Sequence, residues 1–305
     1  MIRHFPHSAI NKQRWDQWIL RSPQHIPYAE SWYLDVVCPG WEALIDEQQE
    51  VCMPLTAGKK YGIAYLFQPF FTQQLGVFAP QEIPAGPVDA MLQAIPKAYR
   101  YIDIQLNIHN QVSQPGFHQE KRVTYQLPSA ADAGALRSGY HENTRRKLKK
   151  FEQQATKYEA GTCTPAELVA LFRKETGSRI PELRPRHYRM LVQLIGTALS
   201  LGKGFISCFR NPEGDLSAGA FFLQSGNYCI NLLPAGTAAG RRDELMTGLL
   251  DAQLSRLAGS RVVFDFEGSS IPSVARFYRG FGSSEVFYLH LRQNHLPPLL
   301  KLFKK

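Results

Sequence analysis

Three apolar runs in the second half of the chain, GFISCFR, LSAGAFFLQ and NYCINLL, are separated only by the turns NPEGD and SGN. Connections this short join neighbouring antiparallel strands, because a parallel return needs a dozen or more residues. The chain then runs through PAGTAAGRRDELMTGLLDAQLSRLAG, a small-residue loop leading into an amphipathic helix, and on to the strand RVVFDFEG. That passage is long enough for a βαβ-like crossover, so the sheet is expected to be mixed. A short helix, IPSVARFYRGFG, and a last strand, EVFYLHLRQ, finish this half.

Two helices are expected ahead of the meander. Thr164 caps the first, Pro165 takes its first position, Glu167 closes a capping box and Gly177 ends it. The second spans Pro185 to Leu201, with Tyr188, Leu191, Val192, Ile195 and Leu199 along one stripe. The class is α+β, with mixed sheets flanked by helices.

The first half has the same ingredients in weaker form. Asn11–Leu20 reads as a helix with Trp15, Trp18 and Ile19 on one face. WEALI, VCMPL, YGIAYLF and QQLGVF read as strands, with a hairpin tip at Gly58, Lys59 and Lys60. A helix is expected over Val88–Tyr99, then the strands YIDIQLN and RVTYQL. The pair PVDAMLQAIPKAYRYIDIQLN matches MTGLLDAQLSRLAGSRVVFDFEG in length and order, which suggests a diverged internal duplication. The 305 residues suffice for two cores. The small, polar stretch Pro128–Gly139 sets the expected boundary, giving domains 1–130 and 131–305.

Several classes drop out. No run approaches the roughly 20 apolar residues of a membrane span, and the first residues lack the apolar core of a secretory signal. The cysteines, Cys38, Cys52, Cys163, Cys208 and Cys229, are scattered and odd in number. They read as reduced core thiols of a cytoplasmic protein rather than as a zinc site, so no metal is expected. No nucleophile elbow, zincin pair or Walker A loop is present. The net charge of +9 favours anionic partners without choosing among them.

Four stretches are candidates for chemistry. In AGTAAGRR, small residues open a helix, where backbone amides and the positive dipole end suit a phosphate. Gly236, Ala239, Gly240, Arg241 and Arg242 are its candidate binding residues. The alternative is an ordinary loop with two solvated arginines. In RVVFDFEG, strand alternation puts Asp265 and Glu267 on one face and Phe264 and Phe266 on the other. Two carboxylates there can deprotonate an amine, or can simply pair with cations such as Arg276. Ser269 or Ser270 would cap the next helix. Tyr278, on that helix, is either a proton donor or packing. The run His141 to Lys150, with Leu148, Phe151, Ala155 and Tyr158 at helical spacing, is a basic helix over His141–Tyr158. Its outer face binds a polyanion or is merely solvated. The tail LPPLLKLFKK suits either an acidic membrane surface or a loosely ordered end.

HENTRRKLKKFEQ, FDFEGSSIPSVARFYRGFG and EVFYLHL, with the order of elements around them, resemble the FemAB-like branch of the GNAT superfamily. The similarity runs from about His141 to Arg292 and is greatest to the BioF2-like acetyltransferase group. It implies two tandem GNAT-like domains and acyl transfer from a thioester, on coenzyme A or an acyl carrier, to a primary amine. It places the donor's pantetheine and pyrophosphate at AGTAAGRR, although the usual Q/R-x-x-G-x-G/A signature is incomplete. Asp265, Glu267 and Tyr278 become the candidate catalytic residues. Asn143, Arg145, Arg146, Lys149, Asn231, Ser269 and Arg276 become candidate substrate contacts. No cofactor is held permanently. Acyl-CoA, or aminoacyl-tRNA, is the co-substrate, and the acceptor is an amine on a small molecule, peptide or lipid. DNA is not an expected partner. Fem peptidyltransferases that use aminoacyl-tRNA typically carry Phe-Lys where this chain has Phe277-Tyr278, which argues against that donor. The basic helix argues for it. A binding module that keeps the architecture without the chemistry is the remaining reading.

Overall fold

The computed structural model describes residues 1–113, 115–268 and 271–297. Ser269, Ser270 and the end of the basic tail lie outside them. The chain forms two compact units: Met1–Val123 with the chain from Phe287 onward, and Thr124–Val286.

The first unit contains β1 (Arg3–Phe5), α1 (Lys12–Arg21), α2 (Ser31–Val37), β2 (Glu42–Asp46), β3 (Val51–Leu55), β4 (Ala57–Lys60), β5 (Ile63–Phe67), α3 (Ala85–Gln93) and β6 (Tyr99–Gln105). Asn11 caps α1, which buries Trp15, Trp18 and Ile19, the stripe expected from its spacing. β1, β2 and β3 form an antiparallel sheet. In a second sheet β4 pairs antiparallel with β5, and β5 pairs parallel with β6 across the α3 crossover. Leu44, Met53, Leu66, Val88, Ile102 and Leu291 are among the residues of its core.

The second unit contains α4 (Ala133–Ser138), α5 (Glu142–Gln154), β8 (Glu159–Gly161), α6 (Pro165–Glu175), α7 (Pro185–Ser200), β9 (Gly204–Arg210), β10 (Leu216–Ser225), β11 (Tyr228–Gly236), α8 (Ala238–Arg242), α9 (Leu245–Leu257), β12 (Val263–Asp265) and α10 (Pro272–Arg279). β8 to β11 are antiparallel neighbours in chain order. β12 then lies parallel to β11, as the crossover through α8 and α9 requires. The helix–strand pairs α3–β6 and α9–β12 therefore make the same crossover in the two units, where the duplicated segments are expected.

Two strands are shared. β7 (His118–Pro128) begins in the first unit and pairs antiparallel with β12 through Gln126–Pro128. β13 (Ser284–Asn294) begins in the second unit and pairs antiparallel with β6 through His290–Asn294. The chain thus passes between units inside strands. The polar stretch read as a boundary instead holds α4, capped by Asp132.

Other details differ from the sequence reading. Gly58, Lys59 and Lys60 lie in β4, and the hairpin tip is Tyr61-Gly62. Both tip residues have positive φ, +51° and +80°, the conformation that a two-residue turn between twisted strands demands. QQLGVF forms only isolated bridges, through Leu75 and Phe78. α3 stops at Gln93, because Pro96 lacks the amide needed to continue it. α5 ends at Gln154 and gives way to a 3₁₀ turn.

The capping box forms as expected. The Glu167 carboxylate accepts from the Thr164 amide and hydroxyl at 2.8 Å, and from Arg210 at 2.7 Å. These bonds, the backbone one foremost, lower the Glu167 pKa from 4.5 to about 2. A depressed carboxyl pKa adds stability above its unfolded value that is lost as pH falls through the folded one. The melting temperature should therefore drop between about pH 4.5 and pH 2. Glu167→Gln should flatten that part of the profile. An unchanged slope in thermal melts of the variant would remove Glu167 from the acid transition.

Candidate active site

β11 has nine residues, but β12 accompanies it only over Tyr228–Ile230. Among the described residues no strand pairs with the β12 side of β11 beyond Ile230, and the place where the parallel pair ends is called the wedge. β12 keeps its other partner, since the Phe266 amide still donates to the Tyr125 carbonyl at 2.9 Å. Against β10, Phe221 faces Leu233 and Phe222 faces Asn231, so Leu232 is an extra residue in a β-bulge. Bulges bend a strand and re-aim its side chains, and they recur beside active sites.

Asp265 closes the base of the wedge. It is 2% exposed, and both its oxygens are occupied. Oδ1 accepts from Thr124 Oγ1 at 2.5 Å and from the Glu267 amide at 2.7 Å. Oδ2 accepts from Tyr228 OH at 2.6 Å and from Gln126 Nε2 at 2.9 Å. Burial raises its pKa, and the four donors oppose that rise. Four donors fill a carboxylate's acceptor positions, so Asp265 is built as a fixed anchor rather than as an open proton acceptor.

Glu267 stands differently. The strand ends at Asp265, and Glu267 takes a left-handed φ of +60°, held by its amide bond to Asp265. The strict alternation expected for RVVFDFEG therefore stops short of it. Glu267 is half-buried, whereas Phe264, Asp265 and Phe266 are all buried.

Tyr278 comes from α10 and packs on Phe266 with ring centres 5.2 Å apart. Burial first, then the nearby Glu267 charge, raises its pKa, so the hydroxyl keeps its proton at neutral pH. Asn231, 1% exposed, adjoins this hydroxyl, yet neither its Nδ2 nor its Oδ1 completes a hydrogen bond among the described residues. A buried polar group without a partner costs about 1–3 kcal/mol and points to a ligand or water that supplies one.

The AGTAAGRR loop follows the open end of β11. Thr237 caps α8 by accepting from the Gly240 amide at 3.0 Å. A Cβ on Gly240 would collide with the Ser217 carbonyl, so this glycine allows α8 to sit on β10. Arg241 binds the Gly236 carbonyl and Glu175, the latter at 3.0 Å. Arg242 is left 72% exposed, its nearest acid being Asp243 at 3.6 Å.

α5 buries Thr144 and Leu148 and turns Asn143, Arg145, Arg146, Lys149 and Lys150 outward. Arg145 is tied to the Tyr140 and Ser138 carbonyls, and Arg146 to Asn143 at 2.9 Å. Lys147 pairs with Glu244 at 3.1 Å and lies over the Phe277 ring.

Of the residues singled out in the sequence, Asp265, Glu267, Tyr278 and Asn231 come together at the wedge. Gly236, Ala239, Gly240 and Arg242 gather at the end of β11. Asn143, Arg145, Arg146 and Lys149 line a separate helix face, and Arg276 is exposed on α10. Ser269 lies outside the described residues. Sequence reading missed Thr124, Gln126 and Tyr228. Thr124 and Gln126 alternate with apolar residues in RVTYQL, and that pattern of buried polar groups was their only signal.

No protein-family model matches this sequence, and no curated protein sequence matches it. Solved structures do match. FemX superposes with a TM-score of 0.69 at 13% identity, over 97% of this chain and 99% of FemX. The C-terminal domain of a putative lysylphosphatidylglycerol synthetase from Agrobacterium fabrum gives 0.55 at 11% identity, over 96% and 94%. A tandem GNAT protein from the clavulanic acid biosynthesis pathway gives 0.52 at 12% identity, over 97% and 99%. The chain thus has the tandem GNAT-like fold. Its likeness to FemX runs nearly end to end.

Proposed function

We propose that this protein transfers an acyl group from a thioester to a primary amine, in the wedge beside β11. The observation that carries this reading is Asn231. Its buried carboxamide adjoins the Tyr278 hydroxyl and completes no hydrogen bond of good geometry among the described residues, where β12 stops pairing with β11, and a substrate carrying polar atoms would satisfy it. The acceptor nitrogen bonds to the acyl carbon, and its proton passes to Glu267. In this reading, backbone amides of β11 beyond Ile230, where β12 no longer pairs, stabilise the oxyanion. The C–S bond then breaks, Tyr278 donates a hydrogen bond to the leaving sulfur, and the thiolate regains the proton held on Glu267. Asp265 positions Glu267 through its backbone. The acceptor class is an amine on a small molecule, peptide or lipid.

Coenzyme A is the donor carrier of first choice, with the exposed Arg242 beside its pyrophosphate. Calorimetry should detect CoA binding to the intact protein, and Arg242→Ala should weaken it about tenfold, the scale of one charge-assisted hydrogen bond. Absence of CoA binding would remove that donor. Aminoacyl-tRNA is the second reading, favoured by the exposed Lys149 and Lys150 of α5. Filter binding of bulk tRNA that falls steeply with salt would then replace the first.

A further inference from the structure

α6 and α7 pack side by side and leave a groove of about 800 Å³ on their outer surface. Val169, Ala170, Tyr188 and Val192 give it an apolar floor, and Arg173, Lys174 and Arg189 line it with positive charge. The charge extends past the groove. Between residues 173 and 189 the chain carries six cations, Arg173, Lys174, Arg179, Arg184, Arg186 and Arg189. Against them stand two acids, Glu175 and Glu182. Glu175 is already taken by Arg241 at 3.0 Å. Arg173 stacks over the Tyr188 ring, while Lys174 and Arg189 make no ion pair among the described residues.

This surface is distinct from the basic face of α5. It combines an apolar floor with cationic walls, the complement of a helix that has one apolar and one acidic face. Nucleic acid needs the charge but not the floor. The groove is also tied to the donor end of the wedge. Glu175, the last residue of α6, follows directly on two of the wall cations, and its bond to Arg241 anchors that end of α6 to the loop after β11.

We infer that the α6–α7 groove docks an acidic amphipathic helix of the protein that presents the acyl donor, so that a carrier-borne thioester is delivered to the wedge. The delivery step rests on the acyl-transfer reading above; the docking does not.

Two measurements separate these. The first is fluorescence titration with a helical peptide bearing Leu on one face and Glu on the other. It should bind, and Lys174→Glu with Arg189→Glu should weaken binding at least about tenfold, as expected when two complementary charges are reversed. Poly-glutamate of equal charge, lacking an apolar face, should bind about tenfold more weakly than the peptide. Failure of the peptide to bind, or equal binding of poly-glutamate, overturns the docking site whatever the activity.

The second is turnover with an acetyl group carried either on free CoA or on the phosphopantetheine of an acidic acyl-carrier protein. The double charge reversal should raise KM for the carrier-borne donor about tenfold and leave the CoA donor unchanged. Equal effects on both donors overturn the delivery role. Peptide binding without turnover of either donor sustains the docking site and overturns the acyl-transfer reading.

Discussion

Glu267→Gln should lower acyl transfer by about a hundredfold, the usual scale for a general base, with little change in melting temperature. The substitution keeps the side chain's shape and leaves the backbone amide bonded to Asp265. It removes the negative charge and with it the ability to take a proton. Glu267 is half-buried and its charge helps to raise the Tyr278 pKa, so in the proposed reaction it is the carboxylate that meets substrate. Tyr278→Phe should cost less, about tenfold, because a thiolate can leave without a hydrogen bond. Turnover and melting need to be measured on the same preparations. Unchanged turnover for the Glu267 variant would remove it as the base and favour a protein that binds without catalysis.

Asp265→Ala should be the most destabilising single change in the site. It strips the acceptor from Thr124, Gln126, Tyr228 and the Glu267 amide together. Some of the penalty is offset, since the buried charge itself disappears, and a net loss of about 3 kcal/mol is expected. For a chain of this size that is a fall in melting temperature of about 8 °C. Asp265→Asn retains an oxygen for Thr124 and Glu267. It should keep most of the stability and at least about a tenth of the turnover, as expected for a residue that positions another. If Asp265→Asn instead melts normally but has no turnover, Asp265 is the proton acceptor and the roles of the two carboxylates are reversed.

Much of this was legible in the sequence, for identifiable reasons. The meander of β9, β10 and β11 was visible because its turns are too short for any other connection. The cap of α6 was visible because Thr164, Pro165 and Glu167 act within one turn. Asp265, Glu267 and Tyr278 were found because they fall in one short segment. What escaped was non-local. Nothing near Asp265 in the chain announces Thr124, 141 residues away, or Tyr228. The left-handed turn at Glu267 also escaped, since a glutamate carries no sign of positive φ and the conformation is imposed by the amide bond to Asp265. Strand partners escaped for the same reason. β7 and β13 read as the last strands of their own halves, and hydrophobic pattern does not say which sheet a strand completes.

Those two strands limit how the molecule can change over evolutionary time. In a protein whose repeats are joined by a linker, one copy can be deleted, duplicated again or fused to a stranger by a single cut. Here a cut after residue 130 would leave β6 without the β13 segment that pairs with it, and would take from β12 the Gln126–Pro128 segment of β7. The two units are therefore inherited as one piece. A cut that keeps the buried anchor whole has to fall before Thr124, inside β7, because Thr124 and Gln126 bind Asp265 from that strand.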